Sequence, residues 1–280
     1  MRMRTKDGVE LYFEKKGNGP PCLFLHGGPG YWSKSFQHTA GEKLEQELEM
    51  VYLDQRGCGR SGYSTDQNYS LTRLVDDIEE LREFLEVDTW ILMGHSFGGI
   101  LAVMYAERYP YRTSALILSN VTLDMKASFA HQIQKGREVL GLVKEDIPAN
   151  DLLPAYHAVQ SELLIRNEFF PLQFFTIADK RVLDEVDEEG PAGDPEFHRH
   201  IFTQEEFFRD FRPVTASLPM PTLILTGEHD HAIGPHHHRS FMFSNRRVAS
   251  FPVGHHPYVE CLESFGTVIH TFLSDYKGGT

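Results

Sequence analysis

The 280-residue chain has few cysteines. There are three, Cys22, Cys58 and Cys261, widely spaced and in no Cys-x-x-Cys pair. This excludes a disulfide framework and the usual thiolate zinc or redox motifs. Basic residues are also scarce: Lys plus Arg is 27 against 40 Asp plus Glu, a formal net charge of −13. A binder of phosphate backbones needs a basic face, so no nucleic-acid partner is expected. No apolar run approaches the ~20 residues of a membrane-spanning helix. The opening Met1-Arg2-Met3-Arg4-Thr5-Lys6-Asp7 leads into no apolar signal segment. No membrane partner is expected, and the expected location is cytoplasmic. Internal repeats and low-complexity tracts are absent. What remains is ample material for a core: 41% of the residues are hydrophobic, and a chain this long folds without a structural metal.

Short apolar runs alternate with amphipathic stretches. Cys22-Leu23-Phe24-Leu25, Met50-Val51-Tyr52-Leu53, Trp90-Ile91-Leu92-Met93 and Ala115-Leu116-Ile117-Leu118 read as strands buried on both faces of a parallel sheet. Residues 10–15 alternate, as an antiparallel edge partner would. Over residues 71–85 the apolar side chains Leu71, Leu74, Val75, Ile78, Leu81, Phe84 and Leu85 fall on one helical face. The acids Asp76, Asp77, Glu79, Glu80 and Glu83 lie elsewhere, and Ser70 is placed to cap the helix. A second helix is expected over 97–109, stopped by Pro110. Strand-helix alternation predicts an α/β fold with a mostly parallel central sheet flanked by helices.

Strand patterns vanish after Val121 and resume near Pro213. Residues 122–213 therefore read as an inserted helical cap, and 1–121 with 214–280 as the core. Within the insertion, the acidic run Asp184-Glu185-Val186-Asp187-Glu188-Glu189 reads as a solvated face, and 191–195 as a loop. Thr222-Leu223-Ile224-Leu225-Thr226 and Arg247-Val248-Ala249-Ser250-Phe251 are further strands. A closing helix is expected over 263–274, and 276–280 read as a tail.

Gly94-His95-Ser96-Phe97-Gly98 matches Gly-x-Ser-x-Gly at a strand-to-helix junction. That is the context of a nucleophile elbow, where a tight turn pushes the serine outward. The Phe97 N–H at the helix start is aimed at a developing oxyanion. A serine hydroxyl needs a base, and the base needs an orienting acid. In this architecture they follow in the order Ser, Asp or Glu, His. Thr226-Gly227-Glu228-His229-Asp230 supplies the acid after a strand, with Asp230 preferred over Glu228. Val253-Gly254-His255-His256-Pro257 supplies the base. His255 is preferred, because Pro257 restricts the backbone of His256. His26-Gly27-Gly28-Pro29-Gly30 supplies the second oxyanion donor. Gly28 is the preferred residue and Gly27 the next, whereas Pro29 has no N–H.

These motifs, with Asp54-Gln55-Arg56-Gly57-Cys58-Gly59-Arg60-Ser61 and Gly254-His255-His256-Pro257-Tyr258-Val259-Glu260, resemble the prolyl aminopeptidase (proline iminopeptidase) family of α/β-hydrolases. The resemblance runs from residue 26 to 260. It implies an α/β core with a helical cap, no metal, and release of an N-terminal residue, often proline, from peptides. It also implies Ser96, Asp230 and His255 as the triad, with Gly28 and Phe97 as the oxyanion hole. Such peptidases recognise a free cationic N-terminus with acids. One commonly follows the triad Asp, where this chain has His231; the other comes from the cap, where Glu168 and Glu196 are the candidates. Trp32 and Phe36 are candidates for the site entrance.

Other features read as structural. Gly57-x-Gly59-x-x-Gly62 follows a strand, but no helix begins at the glycines, so no dinucleotide cofactor is expected. The side chains of His236-His237-His238 diverge and do not converge on a metal. The Phe169 to Phe175 cluster fits either cap core or an apolar pocket. The expected activity is acyl-enzyme hydrolysis of a small-molecule or short-peptide substrate with N-terminal proline or another apolar residue. A carboxylesterase or lactonase would use the same machinery, and a non-catalytic small-molecule binder is the rival from another class.

Overall fold

The protein is described here from a computed structural model, which defines residues 1–277 except Glu189 and Ala192. The elements run in the order β1 (Arg2–Arg4), β2 (Glu10–Lys16), β3 (Pro21–Leu25), α1 (Lys34–Leu44), β4 (Glu49–Leu53), α2 (Leu71–Phe84), β5 (Trp90–His95), α3 (Gly98–Arg108) and β6 (Thr113–Ser119). Then come α4 (Met125–Val139), α5 (Leu152–Ile165), α6 (Ile177–Asp187), α7 (Pro195–Thr203), β7 (Thr222–Gly227), β8 (Arg246–Phe251), α8 (Pro257–Glu260) and α9 (Leu262–Lys277). Helix α9 reaches further than the expected 263–274. The expected tail lies, from residue 278 on, outside the described residues, as do Glu189 of the acidic run and Ala192 of the expected loop.

One sheet has the strand order β1-β2-β4-β3-β5-β6-β7-β8. β2 pairs antiparallel with β1 and β4, and every other pairing is parallel. Alternation along each strand builds two cores. Leu23, Leu25, Val51, Leu53, Leu92, Leu116 and Leu118 face one layer. Cys22, Phe24, Met50, Tyr52, Ile91, Met93 and Ile117 face the other. Burial on both sides is why these strands appear in the sequence as unbroken apolar runs. The outer strand β8 instead carries exposed Arg246 and Arg247, charges that discourage edge-to-edge pairing.

Ser70 caps α2, its hydroxyl accepting the Arg73 N–H at 3.3 Å. Two acids of that helix do not face water as the helical pattern predicts: Asp77 and Glu80 are buried. Fully buried Arg56 donates to both Asp77 oxygens, Nε–Oδ2 2.5 Å and Nη2–Oδ1 2.7 Å, and to Asp7 at 2.8 Å. Arg73 reaches Glu80 at 2.6 Å. The glycine-rich 57–62 segment follows this buried Arg56, and α2 begins only at Leu71. Between β6 and β7 the described residues form α4–α7 and short 3-10 turns, with no strand. Among the described residues, no helix is long and apolar enough to cross a membrane.

Candidate active site

Ser96 stands between β5 and α3 with φ +54°, a left-handed backbone that costs a serine of order 1–3 kcal/mol. The turn is held by the Ser96 N–H donating to Ser119 O at 3.3 Å. Ser96 O accepts from Gly99 N at 3.1 Å and Thr122 N at 3.2 Å. The flanking glycines are there for space. A Cβ on Gly98 would lie 2.1 Å from Leu25 O, one on Gly27 2.7 Å from Ser96 Cβ, and one on Gly99 2.3 Å from Val121 Cβ.

Asp230 follows β7 and His255 follows β8. His255 Nδ1 is 3.0 Å from Asp230 Oδ2, with both side chains buried. Asp230 is held by further donors: Asn120 Nδ2 to Oδ2 at 2.8 Å, and the N–H groups of Ala232 and Ile233 to Oδ1 at 3.0 and 3.1 Å. Burial by itself would raise the Asp230 pKa. The neighbouring His255 and these hydrogen bonds outweigh it and hold the carboxyl below the usual carboxylate range. The rival Glu228 is exposed, and among the described residues its carboxylate meets Ser250 Oγ at 3.3 Å and no cation. Asn120, with φ +49° just past β6, was not read from the sequence. Its signal is an Asn, a residue tolerant of that backbone, directly after a buried strand.

The loop of His255 is fastened from several sides. Its N–H donates to Gln173 O at 2.6 Å, and its C=O accepts from His95 Nε2 at 3.0 Å. Burial and nearby His255 push the His95 pKa down to about 3, so this imidazole is neutral. Glu260 accepts three backbone N–H groups: Gly254 at 3.0 Å, His256 at 3.1 Å and Phe175 at 2.8 Å. His256 is stacked on Phe174 and bonded to Tyr258 OH at 2.8 Å, a wall position.

Gly28 has φ +117°. Among the described residues, neither its N–H nor that of Phe97 has a protein acceptor. The loop beneath is held by Gln55, whose N–H donates to His26 Nε2 at 3.0 Å. It is also held by Asp54, which takes the Ser33 N–H at 2.9 Å and Arg60 Nε at 2.7 Å.

Ser96, His255, Gly28 and Gln173 border two cavities. The larger, about 240 Å³, is walled by Phe129, Tyr156, Phe169 and Phe202, and no carboxylate lines it among the described residues. The smaller, about 200 Å³, is walled by Tyr31, His95, Lys180, Asp184, Asp187 and His256. The aromatic cluster is divided: Phe169 faces the larger cavity, Phe174 the smaller, and Phe175 is exposed.

Several candidates stand away from these cavities. Glu168 and Glu196 line neither, and Glu196 pairs instead with Arg199. Trp32 lines neither; its Nε1 donates to Asp187 at 2.9 Å. Phe36 is core, stacked on Phe24 with centroids 3.9 Å apart. His231 is 3.1 Å from His131 of α4, and burial pushes its pKa down to about 4. His237 accepts the Leu123 N–H at 3.1 Å. Asp187, read from sequence as solvated, instead takes the hydroxyls of Tyr31 and Ser35, each at 2.8 Å, besides the indole.

A family model described as alpha/beta hydrolase fold matches residues 20–260. Over 117 residues the chain is 38% identical to the proline iminopeptidase of Neisseria gonorrhoeae, covering 41% of this chain and 37% of that protein. The chain thus spans well under half the length of that relative. The proline iminopeptidase-related protein from Thermus thermophilus superposes with a TM-score of 0.82 at 24% identity, covering 98% and 97% of the two chains. A thermophilic esterase from Thermogutta terrifontis superposes with a TM-score of 0.75 at 23% identity over 99% of each.

Proposed function

The chain belongs to the α/β hydrolase fold family, and from that premise we propose that it is a serine hydrolase working through an acyl-enzyme. The observation that carries this reading is Ser96, His255 and the N–H groups of Gly28 and Phe97 around one cavity, with Asp230 bonded to His255. Asp230 accepts a hydrogen bond from His255 Nδ1–H and stays ionised, which leaves Nε2 free to take the proton of Ser96 Oγ. Ser96 attacks the substrate carbonyl, and the Gly28 and Phe97 N–H groups receive the negative charge. His255 then passes its proton to the leaving group. Water, activated by His255, releases the acid and restores Ser96.

The substrate we propose is a small peptide or amide with a free N-terminal proline or another apolar residue. Residues 122–213 act as its cap. The apolar part occupies the aromatic cavity. The ammonium lies beside Asp187 in the smaller one, where Tyr31, Trp32 and Ser35 fix the orientation of that carboxylate. Asp187 takes the role for which the sequence nominated Glu168 or Glu196. The iminopeptidase relatives support the prolyl substrate, with matches over 37% and 43% of their own length.

A second reading, an esterase or lactonase, is favoured by His231. It stands where the resemblance calls for an acid, and it is tied to His131. Acetylating the amine of a prolyl substrate separates the two. The aminopeptidase loses turnover on the blocked substrate, whereas an esterase acts equally on prolyl esters with a blocked or a free amine. A fluorophosphonate probe tests both readings against a non-catalytic binder, because only an activated Ser96 is labelled.

A further inference from the structure

His95 occupies the variable position directly before Ser96 and takes no part in the proton transfers above. It is nearly fully buried, 3% exposed. Its ring packs among His255, His256 and Tyr258, with centroids 4.7, 5.2 and 5.1 Å away. Its one hydrogen bond among the described residues is from Nε2 to the backbone oxygen of His255 at 3.0 Å. A carbonyl only accepts, so Nε2 carries the proton and His95 is the Nε2–H tautomer. Residues 95 and 255 lie 160 positions apart, so this bond joins the elbow directly to the loop of the base.

We propose that His95 is a positioning residue, whose N–H fixes the His255 peptide so that the imidazole stays aligned between Asp230 and Ser96. This rests on the serine-hydrolase reading only for its catalytic consequence. The peptide on the other side of the His255 Cα is held through its N–H, which donates to Gln173 O at 2.6 Å, so the two bonds clamp His255 across its backbone. With the His95 bond gone, the loop keeps its Gln173 and Glu260 anchors but loses the one that comes from the nucleophile's own turn. His255 then spends less time in reach of Ser96. The consequence falls on the chemical step, and it is read on an ester, which has no ammonium to seat in the smaller cavity that His95 also borders.

The test uses His95→Phe, which keeps a planar ring and loses the donor, and His95→Gln, whose amide N–H reaches the place of Nε2. On p-nitrophenyl butyrate the expected result for His95→Phe is a kcat about tenfold lower with KM within twofold, and slower fluorophosphonate labelling of Ser96. The proton NMR resonance of His255 Nδ1–H, downfield through its bond to Asp230, broadens in His95→Phe. His95→Gln restores both kcat and the resonance. A His95→Phe variant with unchanged kcat and an unchanged resonance overturns the proposal. A His95→Gln variant as impaired as His95→Phe also overturns it, because the ring's volume would then be what matters. The resonance reads the His255 geometry without turnover. It therefore decides the matter even if activity survives Ser96→Ala and the hydrolase reading itself fails.

Discussion

The backbone N–H of His255 donates to the carbonyl oxygen of Gln173 at 2.6 Å, and Gln173 borders both cavities beside Ser96. The loop of the proposed base is thereby tied to the segment between α5 and α6. Glu260 adds a second tie by holding Gly254, His256 and Phe175 together. Glu260→Gln exchanges a carboxylate for an amide that accepts at one oxygen only, so one side of this clamp is lost. The expected result is a fall in kcat of about tenfold to a hundredfold, consistent with roughly 1.5–3 kcal/mol for a hydrogen bond to a charged group. Steady-state kinetics on the folded variant checks it.

Asn120 supports Asp230 from the end of β6, through the 2.8 Å bond to Oδ2. Asn120→Ala removes that donor and leaves Asp230 less stabilised as an anion. Kinetics should give a drop of about tenfold to a hundredfold in kcat/KM. Asp230→Asn should cost about 10⁴ in kcat, because an amide favours the wrong His255 tautomer. Equal losses in the two variants would contradict the supporting role of Asn120.

Asp187→Asn tests the amine site. KM for a free-amine prolyl substrate should rise tenfold or more, with turnover of a p-nitrophenyl ester unchanged within about twofold. Glu168→Gln and Glu196→Gln, whose side chains line neither cavity, should leave both substrates unaffected.

Stability should fall on mild acidification, before carboxylates titrate. His95, with its pKa pushed down to about 3, and His231, pushed down to about 4, stay neutral in the folded chain. Unfolded, each takes a proton near pH 6.5. The unfolded state therefore binds more protons between about pH 6.5 and 4, and stability rises with pH across that window. Asp230 acts lower down. Its depressed pKa contributes stability above the ordinary carboxylate value, which is lost as the pH falls through the folded pKa. Melting temperatures from pH 7 to 4.5 should decline steadily, and His95→Gln should flatten the slope.

Arg56→Ala strands Asp77 without its buried bidentate partner. A loss of about 3–5 kcal/mol follows. At 2–4 °C per kcal/mol this amounts to a melting temperature lower by about 10 °C. Calorimetry checks it, and an unchanged melting temperature would mean that the ion cluster of Arg56 with Asp77 and Asp7 does not hold the fold together.

Much of the fold was legible because it is written locally. β3, β5 and β6 appear as apolar runs since both faces are covered, and the elbow appears because its glycines are forced by contacts with Leu25 and Val121. What escaped depends on partners far away in the chain. Asp187 looked like one more acid in a solvated run, and only the fold brings Tyr31 and Trp32, 156 and 155 residues earlier, onto it. Asp77 fitted the polar face of α2 until Arg56 was found beneath it. Glu168, just past α5, and Glu196, in the first turn of α7, are candidates by their positions in the cap sequence, and position alone does not say which way a side chain faces.

The central claim is that Ser96 is the nucleophile of an acyl-enzyme hydrolase acting on free N-terminal residues. The most direct measurement compares hydrolysis of prolyl-p-nitroanilide and p-nitrophenyl butyrate by the wild-type protein and by Ser96→Ala. The account predicts strong prolyl turnover that falls at least 10³-fold in Ser96→Ala while the fold is retained. Prolyl turnover that survives the substitution would contradict the assignment of Ser96, and ester turnover alone would contradict the aminopeptidase.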